Sequence, residues 1–347
     1  MAESGLKSST VSANDYDEAQ EYFYAQGMTD GLPIVPPTAE RVVAMVEASG
    51  RNANDSLGQV HPAVAEATIE KVAVNAVMAG CLPEYMPVVA AAVEAMVEER
   101  FYLYAIQTTT NSAGVGIVVN GPVRHAIGMN CDSGCLGPGN RANASIGRAI
   151  RFVLLNIGGA VHGEVDKATQ GFPGKFTLCF AENEEASPWE PLHVERGFSP
   201  NESCVTVIAP NATLNCTAGD RVIVEHGLAA LAATMTAPAI TQFSLFHGEP
   251  MVVLNPVHAQ VLAEAGWSKA DLKRYFHEHT RLPGELLSSV ARSRRETRPD
   301  QIIDGMYPMV QSPDHWMITV AGGRGGLHST FMPSFGEPQS ITKPIHL

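Results

Sequence analysis

Positive charge is scarce in this chain: 23 Lys and Arg stand against 36 Asp and Glu, a formal net charge of -13. Nucleic-acid phosphates demand a basic face, and anionic membranes demand the same, so neither partner is expected. Charged residues make up only 17% and aromatics 7%, whereas hydrophobic residues reach 45%, which fits a large core under a lightly charged surface. No run of about 18 apolar residues appears, so no transmembrane helix is expected. Six cysteines at irregular spacing do not make a disulfide scaffold. Residues 1–17 are polar and lack the apolar stretch of a secretory signal. The expectation is a cytoplasmic globular protein. Several catalytic signatures are also missing. No Gly-x-Ser-x-Gly elbow, His-Glu-x-x-His pair or P-loop is present and no dinucleotide fingerprint stands out, which disfavours the lipase-type triad, the Rossmann dehydrogenase and the zinc protease.

Ala, Gly and Val are plentiful, and their patterning predicts an α/β or α+β chain. Residues 1–14 read as a disordered arm. Tyr16 to Gly27 reads as a helix, and Thr38 caps another. Pro62 to Met78 has helical spacing, and Pro83 sits at a favoured first-turn position of the next helix. Phe101 to Gln107 and Val115 to Asn120 read as strands. Ser268 caps a helix, and Met317-Ile-Thr-Val-Ala is a buried strand. The run Gly114-Val-Gly-Ile-Val-Val-Asn-Gly-Pro-Val-Arg resembles Glu249-Pro-Met-Val-Val-Leu-Asn-Pro-Val-His. In each, an apolar strand ends in Asn and Pro-Val opens a helix. An internal duplication then predicts two pseudo-repeated α/β halves facing a central cleft. The boundaries are 15–130 for the first half, 131–200 for an inserted Gly-rich loop, buried helix and acidic segment, and 201–347 for the second half.

Chemistry concentrates in a few places. Asn130-Cys-Asp-Ser-Gly-Cys-Leu-Gly-Pro-Gly-Asn-Arg leads into a mostly apolar helix with Asn140 as N-cap. A helix start attracts carboxylate or phosphate, and Arg141 and Arg148, two turns apart, share a face. They either hold an anion or pair with an acidic segment. Cys131 and Cys135, spaced C-x-x-x-C, read as inert core residues, as reactive thiols or, with His125 or His162, as metal ligands. Cys81, just before a Pro-started helix, is a further thiol candidate. Gly322-Gly-Arg-Gly-Gly-Leu-His-Ser follows a strand, where open α/β sheets bind ligands, and it supplies Arg324, His328 and Ser329. Glu184, Glu185 and His193 lie in the acidic segment and are candidate acids or bases.

Four stretches carry a resemblance: Asp30-Gly-Leu-Pro-Ile-Val-Pro-Pro-Thr, Val72-Ala-Val-Asn-Ala-Val-Met-Ala-Gly-Cys-Leu-Pro-Glu-Tyr, Gly137-Pro-Gly-Asn-Arg-Ala-Asn-Ala and Glu182-Asn-Glu-Glu-Ala-Ser-Pro-Trp-Glu. Together they resemble a bacterial family of mostly uncharacterised proteins associated with small UGSC-type selenoproteins and their cysteine forms, an association with redox chemistry. The matched motifs span residues 30–190, and the similarity continues to about residue 330. The Cys-Gly-Ser-Cys motif itself is absent here. The resemblance implies one shared architecture and a thiol- or selenol-bearing protein partner, and it assigns no activity or catalytic residue.

The expected function is an enzyme, lyase or hydrolase, acting on a small carboxylate or carbonyl compound by acid–base chemistry. Arg141 and Arg148 would hold the anion, with Asn140, Arg324 and Ser329 as further contacts. Asn120 and Asn255 would donate hydrogen bonds from matched turns, and Glu184 or His328 would move the proton. No cofactor is expected beyond a possible divalent metal. The alternatives are a thiol enzyme using Cys131, Cys135 or Cys81, and a non-catalytic subunit of a redox-related complex. A homodimer is expected from base rates.

Overall fold

The structure is a computed structural model that describes residues 5–217, 223–237, 242–243, 248–296, 299–336 and 338–347. The chain is α/β. It opens with α1 (Tyr16–Ala25) and α2 (Ala39–Ala48), capped by the side chains of Asp15 and Thr38. Of the arm expected over residues 1–14, residues 1–4 lie outside the described residues. Residues 5–14 form no helix or strand, and the backbone N–H groups of Lys7 and Ser8 donate to Glu70.

Two local expectations change. The helix read from Pro62 begins only at Ile69, because β1 (Ser56–Val60) and β2 (Ala65–Thr68) pair first as an antiparallel hairpin. Thr68 then caps α3 (Ile69–Ala79) by accepting from Lys71 N–H. The stretch read as a strand from Phe101 to Gln107 contains the helix α5 (Leu103–Thr108), and its buried Leu103, Ile106 and Gln107 follow helical spacing rather than alternation. Between these lies α4 (Met86–Met96), apolar on nearly every side and accordingly buried.

The frame is a pair of four-stranded sheets. Sheet one runs β12 (Ile341–Pro344), β5 (Cys204–Ile208), β3 (Gly116–Asn120), β4 (Cys179–Ala181). Sheet two runs β6 (Leu214–Thr217), β11 (His328–Met332), β7 (Met251–Leu254), β10 (Met317–Val320). Successive side chains of a strand point to opposite faces, and β3, β4, β5, β7 and β10 are buried on both. Ile117 and Val119 enter a core shared with α3, α4 and the long helix α7 (Arg141–Asn156). Val118 enters a second core with Phe180, Ile208, Met251, Val253, Met317 and Met332, so the two sheets pack face to face. On the far side of sheet two, Val252, Leu254 and Ile318 join a third core with α9 (Val224–Thr236), α10 (Pro256–Glu264) and α11 (Lys269–His279). The layers are therefore helix, sheet, sheet, helix.

Close approach of α7 to β4 requires glycine. A Cβ on Gly147 would lie 2.9 Å from the Leu178 nitrogen and 3.3 Å from the Cys179 Cβ. In the third core, Trp316 stacks between Phe276 and Phe331 at centroid distances of 5.3 and 6.1 Å. Truncating such a ring costs about 3–5 kcal/mol.

The sheets share one arrangement. A central strand (β3 or β7) leads into an Asn turn, with a parallel neighbour on one side and an antiparallel neighbour on the other, which itself pairs antiparallel with an outer strand. The outer strands are exchanged: β6 follows β5 in the chain but pairs with β11, and β12 follows β11 but pairs with β5. Where the crossing segments meet, Phe335 N–H donates to Ala209 O at 2.8 Å and Asn211 N–H to Pro333 O at 3.1 Å. Residues 131–200, read as an insertion, supply α7 and β4, and β4 is a full member of sheet one. The remaining helices are α6 (Val123–Ala126), α8 (Leu192–Glu195) and α12 (Ser289–Arg295). No helix among the described residues is long and apolar enough to cross a membrane.

Candidate functional site

At the C-terminal ends of β7 and β10, two glycine-rich loops enclose a cavity of about 550 Å3. One wall is residues 133–137 and the other residues 321–325, with Asn255, His328, Ser329 and Thr330 between them. The loops are joined by a bond from Gly322 N–H to Cys131 O at 2.9 Å. They approach so closely that a Cβ on Gly323 would run into Ser133 Oγ and lie 3.1 Å from Ser133 Cα.

Asn255 organises the far wall. Its Oδ1 accepts from His258 N–H at 2.8 Å and so caps α10. Its Nδ2 donates to Gly325 O and Gly326 O at 3.3 and 2.9 Å, pinning the loop. None of the backbone N–H groups of residues 323–327 donates to another described residue. Successive free amides are the donors from which anion-binding loops are built, and those of residues 323–325 border the cavity. Arg324 and His328 add an exposed guanidinium and an exposed imidazole. The lining includes no Asp or Glu, in a chain whose net charge is -13.

Ser329, the second residue of β11, borders the cavity, and its Oγ lies 2.8 Å from His258 Nδ1. The His258 side chain is buried in the first turn of α10, and desolvation holds its pKa down at about 4, so the ring is neutral at physiological pH.

The residues expected from the sequence divide. Asn255, Arg324, His328, Ser329 and Cys135 come together here. Arg141 and Arg148 do not line the cavity. Arg148 is engaged by Asp30 through two bonds of 2.7 and 2.8 Å and donates to Leu32 O and Pro33 O. Arg141 donates to Gly80 O at 3.0 Å. The guanidinium of Arg148 thus already has its carboxylate, which comes from Asp30 and not from the acidic segment. Asn140 is the N-cap of α7, as expected, and its amide is spent on Asn143 N–H and Gly128 O.

Asn120 and Glu184 belong to a separate, internally closed cluster. Asn120 Nδ2 donates to Glu182 at 2.7 Å and to Glu184 at 3.0 Å. Glu184 also accepts from Gly121 N–H and pairs with Arg124 at 3.0 Å. Glu184 is therefore a structural ligand of Arg124, not a free base beside the cavity. The Arg124 hydrogen bond holds Glu185 down at about 2, which leaves it a poor proton carrier at neutral pH. His193 is fully buried in α8 with both ring nitrogens unpartnered among the described residues.

The thiols are protonated by their surroundings. Burial pushes Cys81 up to about 12 and Cys135 to about 11, and burial also raises the half-buried Cys131. Among the described residues no three His, Cys, Asp or Glu side chains gather as a metal set.

His258 was not singled out from the sequence. Its signal was its place after a strand, an Asn and Pro-Val, the place that Arg124 takes in the first run. Each meets a residue far along the chain: Ser329 for His258, Glu184 and Glu185 for Arg124. Comparison with family models, with curated protein sequences and with solved structures gives no match.

Proposed function

We propose that this protein is an enzyme of the lyase or hydrolase class that acts on a small carboxylate- or carbonyl-containing metabolite in the cavity between the two glycine-rich loops. The observation that carries the reading is a lining free of carboxylates, with Arg324 and the free amides of residues 323–325, in an acidic protein. A volume of about 550 Å3 suits a metabolite. Arg324 takes the anion-holding role that the sequence suggested for Arg141 and Arg148. His328 places an exposed imidazole at the cavity, a group whose chemistry suits it to proton transfer.

The thiol alternative draws on Cys135, which borders the same cavity. Its burial favours the neutral thiol over the nucleophilic thiolate, so acid–base chemistry is the better reading. The same reading takes the protein as a cytoplasmic homo-oligomer, open to sedimentation analysis.

The test is thermal stabilisation by two- to six-carbon mono- and dicarboxylates, in wild type and R324A. Stabilisation of wild type by at least one carboxylate, lost in R324A, supports the reading. A wild type that no carboxylate stabilises, or an R324A variant stabilised equally, opposes it.

A further inference from the structure

One feature of the cavity is unused by the chemistry above: the Ser329–His258 pair. We propose that Ser329 is a nucleophile and His258 the base that takes its proton, which makes the reaction acyl transfer from a small ester, thioester or lactone of an anionic acid. This rests on the reading of the cavity as a substrate site and selects the hydrolase branch of it.

Geometry supports the assignment from three sides. Ser329 is held in the middle of sheet two, paired with Leu254 on one side and Cys216 on the other, so its backbone cannot drift. His258 is fixed by the cap bond from its own N–H to Asn255 Oδ1. The same Asn255 grips Gly325 O and Gly326 O. One side chain thus aligns the base and the loop that carries the amide donors. A nucleophile in hydrogen-bond reach of a base, next to preorganised N–H donors, is the arrangement that acyl transfer needs. It stands here without the strand–elbow–helix turn of the lipase type, which is why motif reading misses it.

The atoms balance without a co-reactant other than water. As Ser329 Oγ bonds to the substrate's carbonyl carbon, its proton passes to His258 Nδ1. The carbonyl electron pair moves to oxygen, which accepts hydrogen bonds from amides of residues 323–325 at the cavity wall. Collapse breaks the bond to the alkoxide or thiolate leaving group, which departs with the proton from His258. Water then attacks the acyl-Ser329 carbon, His258 takes the water's proton and returns it to Oγ, and the free acid leaves. Desolvation makes His258 a weak base at rest. Negative charge developing on the neighbouring oxygen favours the imidazolium and offsets that weakness as the step proceeds.

The experiment treats the full chain with a fluorophosphonate, an organophosphorus probe that phosphonylates activated serines, and maps the adduct by peptide mass spectrometry. The expected result is a single adduct on Ser329, absent in S329A and formed about 100-fold more slowly in H258Q. Mapping on the wild type needs no variant to fold. An unlabelled wild type, or an adduct on another residue, overturns the proposal. If Ser329 stays unlabelled while R324A still abolishes carboxylate stabilisation, acyl transfer falls and the substrate-site reading stands. If Ser329 is labelled but no carboxylate stabilises the protein, the nucleophile stands and the anion reading falls.

Discussion

Replacing Arg148 with Met separates structural arginines from ligand-holding ones. The Asp30 side chain is 3% exposed and the Arg148 side chain 16%, so the pair is largely withdrawn from water. R148M keeps the aliphatic bulk on α7 but leaves the Asp30 carboxylate with only Leu32 N–H as a donor. It also strips Leu32 O and Pro33 O of their partner. Breaking a buried pair from one side costs about 3–5 kcal/mol, because the remaining charge stays desolvated. The remaining donor to Asp30 points to the lower end, about 3 kcal/mol. Neutralising the orphan should reverse much of this, so D30N/R148M is expected to recover more than half of the loss. The assay is urea unfolding followed by far-UV circular dichroism, with constant m-values as the check on comparability. Carboxylate stabilisation of R148M, measured below its own melting range, should match wild type. A loss under about 1 kcal/mol, or a variant that folds normally and no longer responds to carboxylates, would refute this.

Other consequences can be checked directly. Glu182 is fully buried and accepts from Asn120, Leu192 N–H and Val320 N–H, so E182A strands three donors and should destabilise by about 3 kcal/mol or more in the same urea assay. A folded-state pKa of about 4 for His258, against 6.5 unfolded, means the unfolded chain gains the proton first as pH falls. Stability is thus unaffected by His258 above pH 6.5 and lost as pH drops towards 4, by at most about 3 kcal/mol. Subtracting an H258Q series isolates that change, and a flat difference between pH 7 and 4 would contradict it. With Cys81, Cys131 and Cys135 all raised, none should react with iodoacetamide at pH 7.5 faster than free glutathione, as read by intact-mass time courses. G323V drives a side chain into Ser133 and should abolish carboxylate stabilisation while changing the melting temperature less than E182A does.

What was legible in the sequence was local. Thr38, Asn140 and Ser268 cap the helices that follow them because a cap involves residues three apart, within view of any reading along the chain. The glycine-rich loop after Met317–Val320, which lines the cavity, was legible for the same reason: the strand, its end and the loop are contiguous. Long-range pairing was not legible. Arg148 read as holding an anion or pairing with the acidic segment, because its actual partner Asp30 lies far off in the chain. His258 looked unremarkable because Ser329 arrives only when β11 docks on β7. The exchange of β6 and β12 between sheets has no local signature either, since each strand reads the same whichever sheet takes it. Glu184 misled through its company, since an acidic segment beside a Trp resembles a pocket rim until Arg124 closes over it.

The most direct test of the central claim is the response of wild type and R324A to small carboxylates, read as a shift in melting temperature with inorganic phosphate as the competing anion. The account predicts a concentration-dependent rise in wild type that R324A loses and R141A keeps, because the Arg141 guanidinium is bonded to Gly80 O away from the cavity. A rise that survives R324A and vanishes in R141A would put the anion on α7 and contradict it.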